Sequence, residues 1–289
     1  MTSRSRARPP PRDRRSGSGD RRSGSGDRRA SPRCSDNRDH DVDADNRQSG
    51  AAAGARDDDA DRRRALSMFQ LSADTVARLD RFVAVLRTWQ RRTNLIAPST
   101  VTELWTRHVA DSLQLVNIVT GRGGCGPVVV DVGSGGGFPG MVIACAVADA
   151  AGAEVHLVES NLKKAAFLRE AVRETGAPGV VHAARFEEVL PVLAKKPVDY
   201  VTARALAPLP ELLELIAPLI KAGATAVLPK GRDVADELTE STARWHIEVD
   251  TVPSITNAAA RIVIVTKLTP RSDGTGSAGA GAGTRGETA

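Results

Sequence analysis

Apolar positions fall into three regimes along the chain. Residues 1–64 hold one Val, Val42, and no Leu, Ile or aromatic residue. From residue 65 to 121 apolar residues recur at helical spacing. Ser72 stands where it can cap a helix carrying Val76, Leu79, Val83, Leu86 and Trp89 on one stripe. Thr100 and Glu103 have capping-box spacing for a second helix with Val101, Leu104, Trp105, Val109 and Leu113. Beyond residue 122 the period changes. Short β-branched runs at 128–133, 154–159, 179–183, 198–203 and 224–230 alternate with amphipathic helical stretches. That alternation predicts βαβ units and a parallel sheet covered on both faces. The runs at 245–252 and 260–267 are too close for a crossover helix between them, so they predict an antiparallel hairpin. The expected fold is α/β: a seven-stranded, mostly parallel sheet ending in an antiparallel hairpin, with an N-terminal helical extension.

Charge sharpens the boundaries. The first 64 residues carry 17 Arg against 12 Asp, a surplus equal to the +5 of the whole chain. The remaining residues balance, so any nucleic-acid surface on the body has to be local. The sequence DRRSGSG repeats at 13–19 and 20–26, and such segments cannot bury enough apolar surface to offset their ordering entropy. Four segments follow: a disordered tail over 1–64, a helical region over 65–121, a ligand-binding core over 122–268 and a disordered Gly/Ala-rich tail over 269–289. Met68 sits at the start of the structured pattern; if residues 1–64 are only a solvated leader, a chain beginning there is expected to fold and act like the longer one. Cys34, Cys125 and Cys145 are too scattered for a disulfide framework or a zinc knuckle. No metal site is expected. No run reaches the roughly 18 apolar residues that span a bilayer, so no membrane partner is expected and the cytoplasm is the expected location.

The strongest local signal is Asp131-Val-Gly133-Ser-Gly135-Gly-Gly137-Phe138-Pro139-Gly140, between a predicted strand and helix. Glycines there let the backbone turn sharply and approach a ligand, and Pro139 suits a first helical turn. Gly135, Gly137 and Gly140 also satisfy G-x-G-x-x-G, which raises the alternative of an NAD(P)-dependent oxidoreductase. Two features disfavour it. Asp131 would repel a pyrophosphate but suit a cationic sulfonium and amine, and a dinucleotide-binding sheet is usually parallel throughout. S-adenosylmethionine fits better. Glu159 ends the second strand, where a carboxylate can accept both ribose hydroxyls. After the third strand, Phe186 and Glu187 can offer an apolar face and an acceptor to an adenine. Arg204 ends the fourth strand, where open α/β sheets present groups to ligands. Cys145 falls in an apolar helical stretch and reads as a buried thiol rather than a nucleophile.

These pieces, taken in order, resemble the small-subunit ribosomal RNA methyltransferase G family, also called glucose-inhibited division protein B. The matching segments are Trp89 with Thr93-Asn94-Leu95, Arg107-His108 with Asp111-Ser112, the glycine loop, Glu159-Ser160, Lys163-Lys164 with Phe167-Leu168, Arg185 with Glu187, Ala203-Arg204-Ala205, Lys230-Gly231 and Arg261. The resemblance spans roughly 69–268, with Met141-Val142 and Ala203 as small departures. It implies a class I (Rossmann-like) methyltransferase fold and methylation of guanine N7 in 16S rRNA from S-adenosylmethionine. The substrate would be 16S rRNA or the small ribosomal subunit. By the same resemblance, cofactor contacts fall on Gly133, Phe138, Phe186, Glu187 and Arg204; the reading from the residues adds Gly135 and Glu159. Guanine N7 carries a lone pair and no proton, so no general base is required and catalysis rests on positioning. Arg107 and His108, on the second helix, and Lys230, at the end of the fifth strand, are the expected RNA contacts. The plainer alternative makes Arg107–Asp111 a surface ion pair and His108 a packed core residue. A non-catalytic RNA-binding assembly module is the remaining alternative.

Overall fold

In the computed structural model, which describes residues 56–121 and 126–271, the seven expected strands form one sheet. They are β1 (Val128–Val132), β2 (Glu154–Val158), β3 (Gly179–His182), β4 (Tyr200–Thr202), β5 (Thr225–Lys230), β6 (Trp245–Pro253) and β7 (Arg261–Pro270). The order across the sheet is β3-β2-β1-β4-β5-β7-β6. The first five pair in parallel, and β7 runs antiparallel to both β5 and β6. From β1 the chain builds outward through β2 and β3, then crosses back to β4 on the other side. Ligands of open α/β sheets sit at such a reversal, outside the carboxyl ends of the strands. Gly133, Glu159 and Arg204 follow the ends of β1, β2 and β4.

Helices cover both faces. On one, α5 (Gly140–Val147) and α6 (Leu162–Thr175) lie against the sheet and α2 (Ala73–Gln90) packs over them, burying Phe82, Met141 and Phe167. On the other, α7 (Phe186–Leu193), α8 (Leu209–Lys221) and α9 (Val234–Arg244) pack around Leu190, Leu213 and Ile216. Local chemistry sets the ends. Ser72 accepts from the Thr75 N–H at 3.1 Å and starts α2 as its position predicts. Asn161 caps α6, and Gly176 closes it in the left-handed conformation with φ 65°. Cys145 is fully buried, and burial pushes its thiol up to about 12.

Two expectations are corrected in the helical extension. The second helix is not a capping-box helix. Pro98–Thr100 form a 3-10 turn, Trp105–Ala110 a π-helix running into α3 (Asp111–Leu113), and α4 (Val116–Val119) follows. The Thr100 hydroxyl serves His108 instead, at 2.8 Å. The boundary at residue 64 also falls inside a helix, because residues 56–66 are helical and are called α1 here. A purely compositional reading missed α1 because its attachment is ionic. Arg62 reaches Asp80 with two bonds of 2.7 Å, Asp58 pairs with Arg87, and Asp61 accepts backbone N–H groups of the π-helix. Ala65 is fully buried behind them. The predicted tails over 1–55 and 272–289, with Cys34 and Cys125, lie outside the described residues. The predicted core also ends short of the last strand, which continues to Pro270.

The expectation for a start at Met68 therefore reverses. A chain beginning there loses Ala65 and the Asp61 contact, and should be less stable than one beginning at residue 55 by about 1–2 kcal/mol. Urea unfolding of the two chains checks this; coincident midpoints would mean that α1 contributes nothing.

Candidate active site

The turn after β1 is held in shape by its neighbour. The Gly133 and Ser134 N–H groups both donate to the Val158 carbonyl, at 2.9 and 3.0 Å. Gly133 and Gly135 adopt φ of 73° and 54°, where a side chain is strained. A Cβ on Gly133 would come within 2.9 Å of Leu206 Cδ1, whereas one on Gly135 would meet nothing nearer than the Gly133 carbonyl at 3.6 Å. Gly135 thus combines a glycine-only backbone with an open outer face. Glu159, 9% exposed, braces the loop from β2: Oε2 accepts from Gly135 N–H at 2.9 Å and Oε1 from Asn161 N–H at 2.7 Å. Both carboxylate oxygens retain acceptor capacity. Phe186, half-buried, and Glu187, exposed, open α7 beyond β3.

Asp131 and Phe138 differ from expectation. Asp131 is fully buried beneath the loop, accepts from Gly140 N–H at 3.1 Å, and is raised to about 6, chiefly by burial. Its carboxyl does not face the open side, so it cannot select a sulfonium over a pyrophosphate by direct contact. The antiparallel β7 is the surviving feature against a dinucleotide fold. Phe138 is 4% exposed, and its ring packs 5.3 Å from Phe82 and 5.0 Å from His108. The ring belongs to the core, which leaves its backbone for any ligand contact. Pro139 caps α5 rather than entering its first turn.

Arg204 is where the helical extension and the sheet meet. Its Nη2 donates to His108 Nδ1 at 2.9 Å, and Nη1 reaches the Arg107 carbonyl and Asp111 Oδ2, each at 3.4 Å. The guanidinium also lies 5.2 Å over the Phe138 ring. Burial lowers the Arg204 pKa, against the pull of Asp111. Ala205, next in the chain, has φ of 53°, which turns the backbone sharply after Arg204. Asp111 is shared further: its Oδ1 accepts from Gln114 Nε2 at 2.9 Å and from the Thr256 hydroxyl at 2.7 Å. Thr256 lies in the β6–β7 connection, which is thereby tied to the same cluster.

The expected RNA contacts separate. Arg107 is exposed and lines a cavity of about 650 Å³ together with Arg204, Lys230 and Arg261. It makes no ion pair with Asp111 among the described residues; Asp111 serves Arg204, Gln114 and Thr256 instead. His108 is corrected. With Arg204 donating to Nδ1, the imidazole is neutral and bears its proton on Nε2, which is bonded to the Thr100 hydroxyl at 2.8 Å. Burial, then Arg204 and Arg107, lower its pKa to about 4. In this neutral form the ring accepts from Arg204 and carries no charge. Lys230 is corrected too: only 10% of its side chain is exposed, and Nζ bonds Glu237 at 2.6 Å and the Ala207 carbonyl at 3.2 Å. Arg261, half-buried on the same cavity wall, is the cation that residue-type reasoning passed over. Its sequence signal was its place among the family-matching segments, at the start of the last strand. Among the described residues no group of three metal-ligating side chains occurs, and no helix is long and apolar enough to cross a membrane.

Comparison with known proteins places the sequence in a family. A family model described as "rRNA small subunit methyltransferase G" matches residues 75–263. The chain is similar to the ribosomal RNA small subunit methyltransferase G of Bradyrhizobium sp. (strain BTAi1), with 50% identity over 219 residues, 76% of this chain and 96% of that one. It is 54% identical over 190 residues to the protein of the same name from Bradyrhizobium diazoefficiens, covering 65% of this chain and 71% of that one.

The His108 geometry has a pH consequence. Its folded-state pKa, about 4, lies below the ordinary histidine value, so the unfolded chain binds the proton more readily. The contribution of neutral His108 is present above about pH 6.5 and is lost as pH falls toward 4. Asp131, raised to about 6, works in the opposite sense over the same window. Replacing His108 with Asn should therefore narrow the gap in melting temperature to wild type as pH falls from 7 to 4.5. A gap independent of pH would show that His108 is not held neutral.

Proposed function

The chain belongs to the ribosomal RNA small subunit methyltransferase G family, and from that membership we propose that it transfers a methyl group from S-adenosylmethionine to N7 of a guanine in 16S rRNA. The observation that carries the reading is the pairing of an open glycine loop, braced by Glu159, with a cation-lined cavity at the same sheet edge. Membership in this family leaves no support for an oxidoreductase or an inert assembly module. Bound S-adenosylmethionine supplies an electrophilic methyl carbon on a positively charged sulfur.

The residues present fit that group. Gly135 offers close backbone approach, and Glu159 can accept ribose hydroxyls with the lone pairs not used by Gly135 and Asn161. Phe186 and Glu187 would present an apolar surface and an acceptor to the adenine, while Gly133 and the Phe138 backbone complete the cradle. Arg204 stands between this cradle and the cavity. A guanine N7 needs no deprotonation, which agrees with a site whose imidazole is neutral and already bonded at both nitrogens. The work left to the protein is alignment of N7 and exclusion of water. Arg107 and Arg261 are suited to phosphates flanking the target base. Lys230 instead fixes Glu237, which also accepts from Leu209 N–H at 2.6 Å and so anchors the start of α8. The substrate is 16S rRNA, either free or within the small subunit, and the balanced charge of the body favours a partner met through this one cluster.

Incubating rRNA with the protein and methyl-labelled S-adenosylmethionine, then mapping the label by mass spectrometry, tests the reaction; label on guanine N7 is expected, and an unlabelled rRNA would overturn it. Gly135→Val should abolish cofactor binding by calorimetry while the circular dichroism stays native. Glu159→Gln should weaken binding by about 1.5–3 kcal/mol. Arg261→Ala should weaken RNA binding and reduce its salt slope by about one, leaving cofactor affinity within about twofold. Lys230→Ala should instead lower thermal stability. An Arg261→Ala variant with unchanged salt dependence would remove Arg261 from the RNA surface.

A further inference from the structure

The hydrogen-bond chain through His108 has only one direction. The Thr100 hydroxyl gives its proton to the Ala97 carbonyl at 2.8 Å, so its oxygen accepts from His108 Nε2–H. His108 Nδ1 is then an acceptor, and Arg204 supplies the donor. The orientation of Arg204 thus depends on where the helix containing residues 104–113 places one ring. Asp61 grips the start of that helix. Oδ2 accepts from the Trp105 N–H at 2.9 Å and the Thr106 N–H at 3.3 Å, and Oδ1 accepts from the Thr106 hydroxyl. Free N–H groups at a helix start favour a carboxylate. Asp61 is itself held, since the neighbouring Arg62 reaches Asp80 on α2 and lies 5.4 Å over the Trp105 ring.

We propose that Asp61 is a positioning residue for methyl transfer: it pins Trp105 and Thr106, and through His108 sets the guanidinium of Arg204. This rests on the role given to Arg204 above. Asp61 lies outside the family-matched segment, which begins at residue 75, and in a stretch whose composition reads as a solvated tail. The Asp61 carboxylate holds Trp105 and Thr106, and Arg107 alone separates Thr106 from His108 in the chain.

The test uses the full chain with Asp61→Ala and Asp61→Asn, and Arg78→Ala as a stability control, since Arg78 bonds Asp149 in the turn after α5. Steady-state methylation of rRNA, cofactor affinity by calorimetry and the ring nitrogen shifts of His108 are measured below each melting point. Asp61→Ala should lower kcat/KM for rRNA about tenfold, equivalent to roughly 1.4 kcal/mol. Asp61→Asn, which keeps one acceptor, should recover part of that loss. Cofactor affinity should stay within about twofold, and the His108 spectrum should change from a single Nε2–H form to a tautomer mixture. Arg78→Ala should lower stability and move neither readout. If Asp61→Ala leaves both kcat/KM and the His108 spectrum at wild-type values, or if Arg78→Ala reproduces its effects, Asp61 is merely structural. If wild type itself methylates no rRNA, the functional reading fails, and the His108 spectrum still decides the role of Asp61.

Discussion

A single guanidinium at the end of β4 ties the molecule together. Arg204 is 19% exposed at its side chain and its nearest carboxylate oxygen is 3.4 Å away. A cation so far removed from water is costly unless its donors are satisfied. The chain meets that demand with parts drawn from separate segments: a ring nitrogen and a carbonyl from the π-helix, a carboxylate from α3 and an aromatic face from the glycine loop. Meeting it fixes the helical extension, the sheet edge and the β6–β7 connection in one arrangement. The stability of the fold and the geometry of the site are the same constraint here.

That constraint divides labour at the sheet edge. On the β1–β2 side, backbone dominates: left-handed glycines, a carbonyl that gathers two N–H groups, and one carboxylate bracing the turn. On the β4–β5 side, charge dominates, with Arg107 and Arg261 available on the cavity wall and Lys230 internally paired. The first side suits a nucleoside held by its ribose and base. The second suits a phosphodiester. The one imidazole at this edge, His108, is already bonded at both nitrogens, which agrees with a nucleophile that has a free lone pair and needs no base.

The parts of this arrangement that repeat were legible in the sequence. β-branched runs alternating with helical stripes predict the five parallel strands, and two runs joined by a short segment predict the hairpin. Glycines at 133 and 135 announce the loop because few other residues adopt those backbone angles. The parts that depend on long-range pairing were not. Nothing local to His108 reveals Arg204, 96 residues away. Charge also misled. Asp58, Asp61 and Arg62 read as part of a polar tail, yet their partners Arg87, Trp105, Thr106 and Asp80 turn the segment into a helix against the body. Asp131 looked like a ligand carboxylate because strand ends often carry one; burial directs it beneath the loop instead.

The most direct test of this account is methyl transfer by an Arg204→Lys variant. Lysine preserves the charge but replaces the planar fork with a single ammonium, which cannot serve His108, the Arg107 carbonyl and Asp111 together. If Arg204 is the joint between the helical extension and the site, the variant should fold and yet methylate rRNA at least about tenfold more slowly, roughly 1.4 kcal/mol in the barrier. A folded Arg204→Lys protein with wild-type kcat and KM for rRNA would contradict the account.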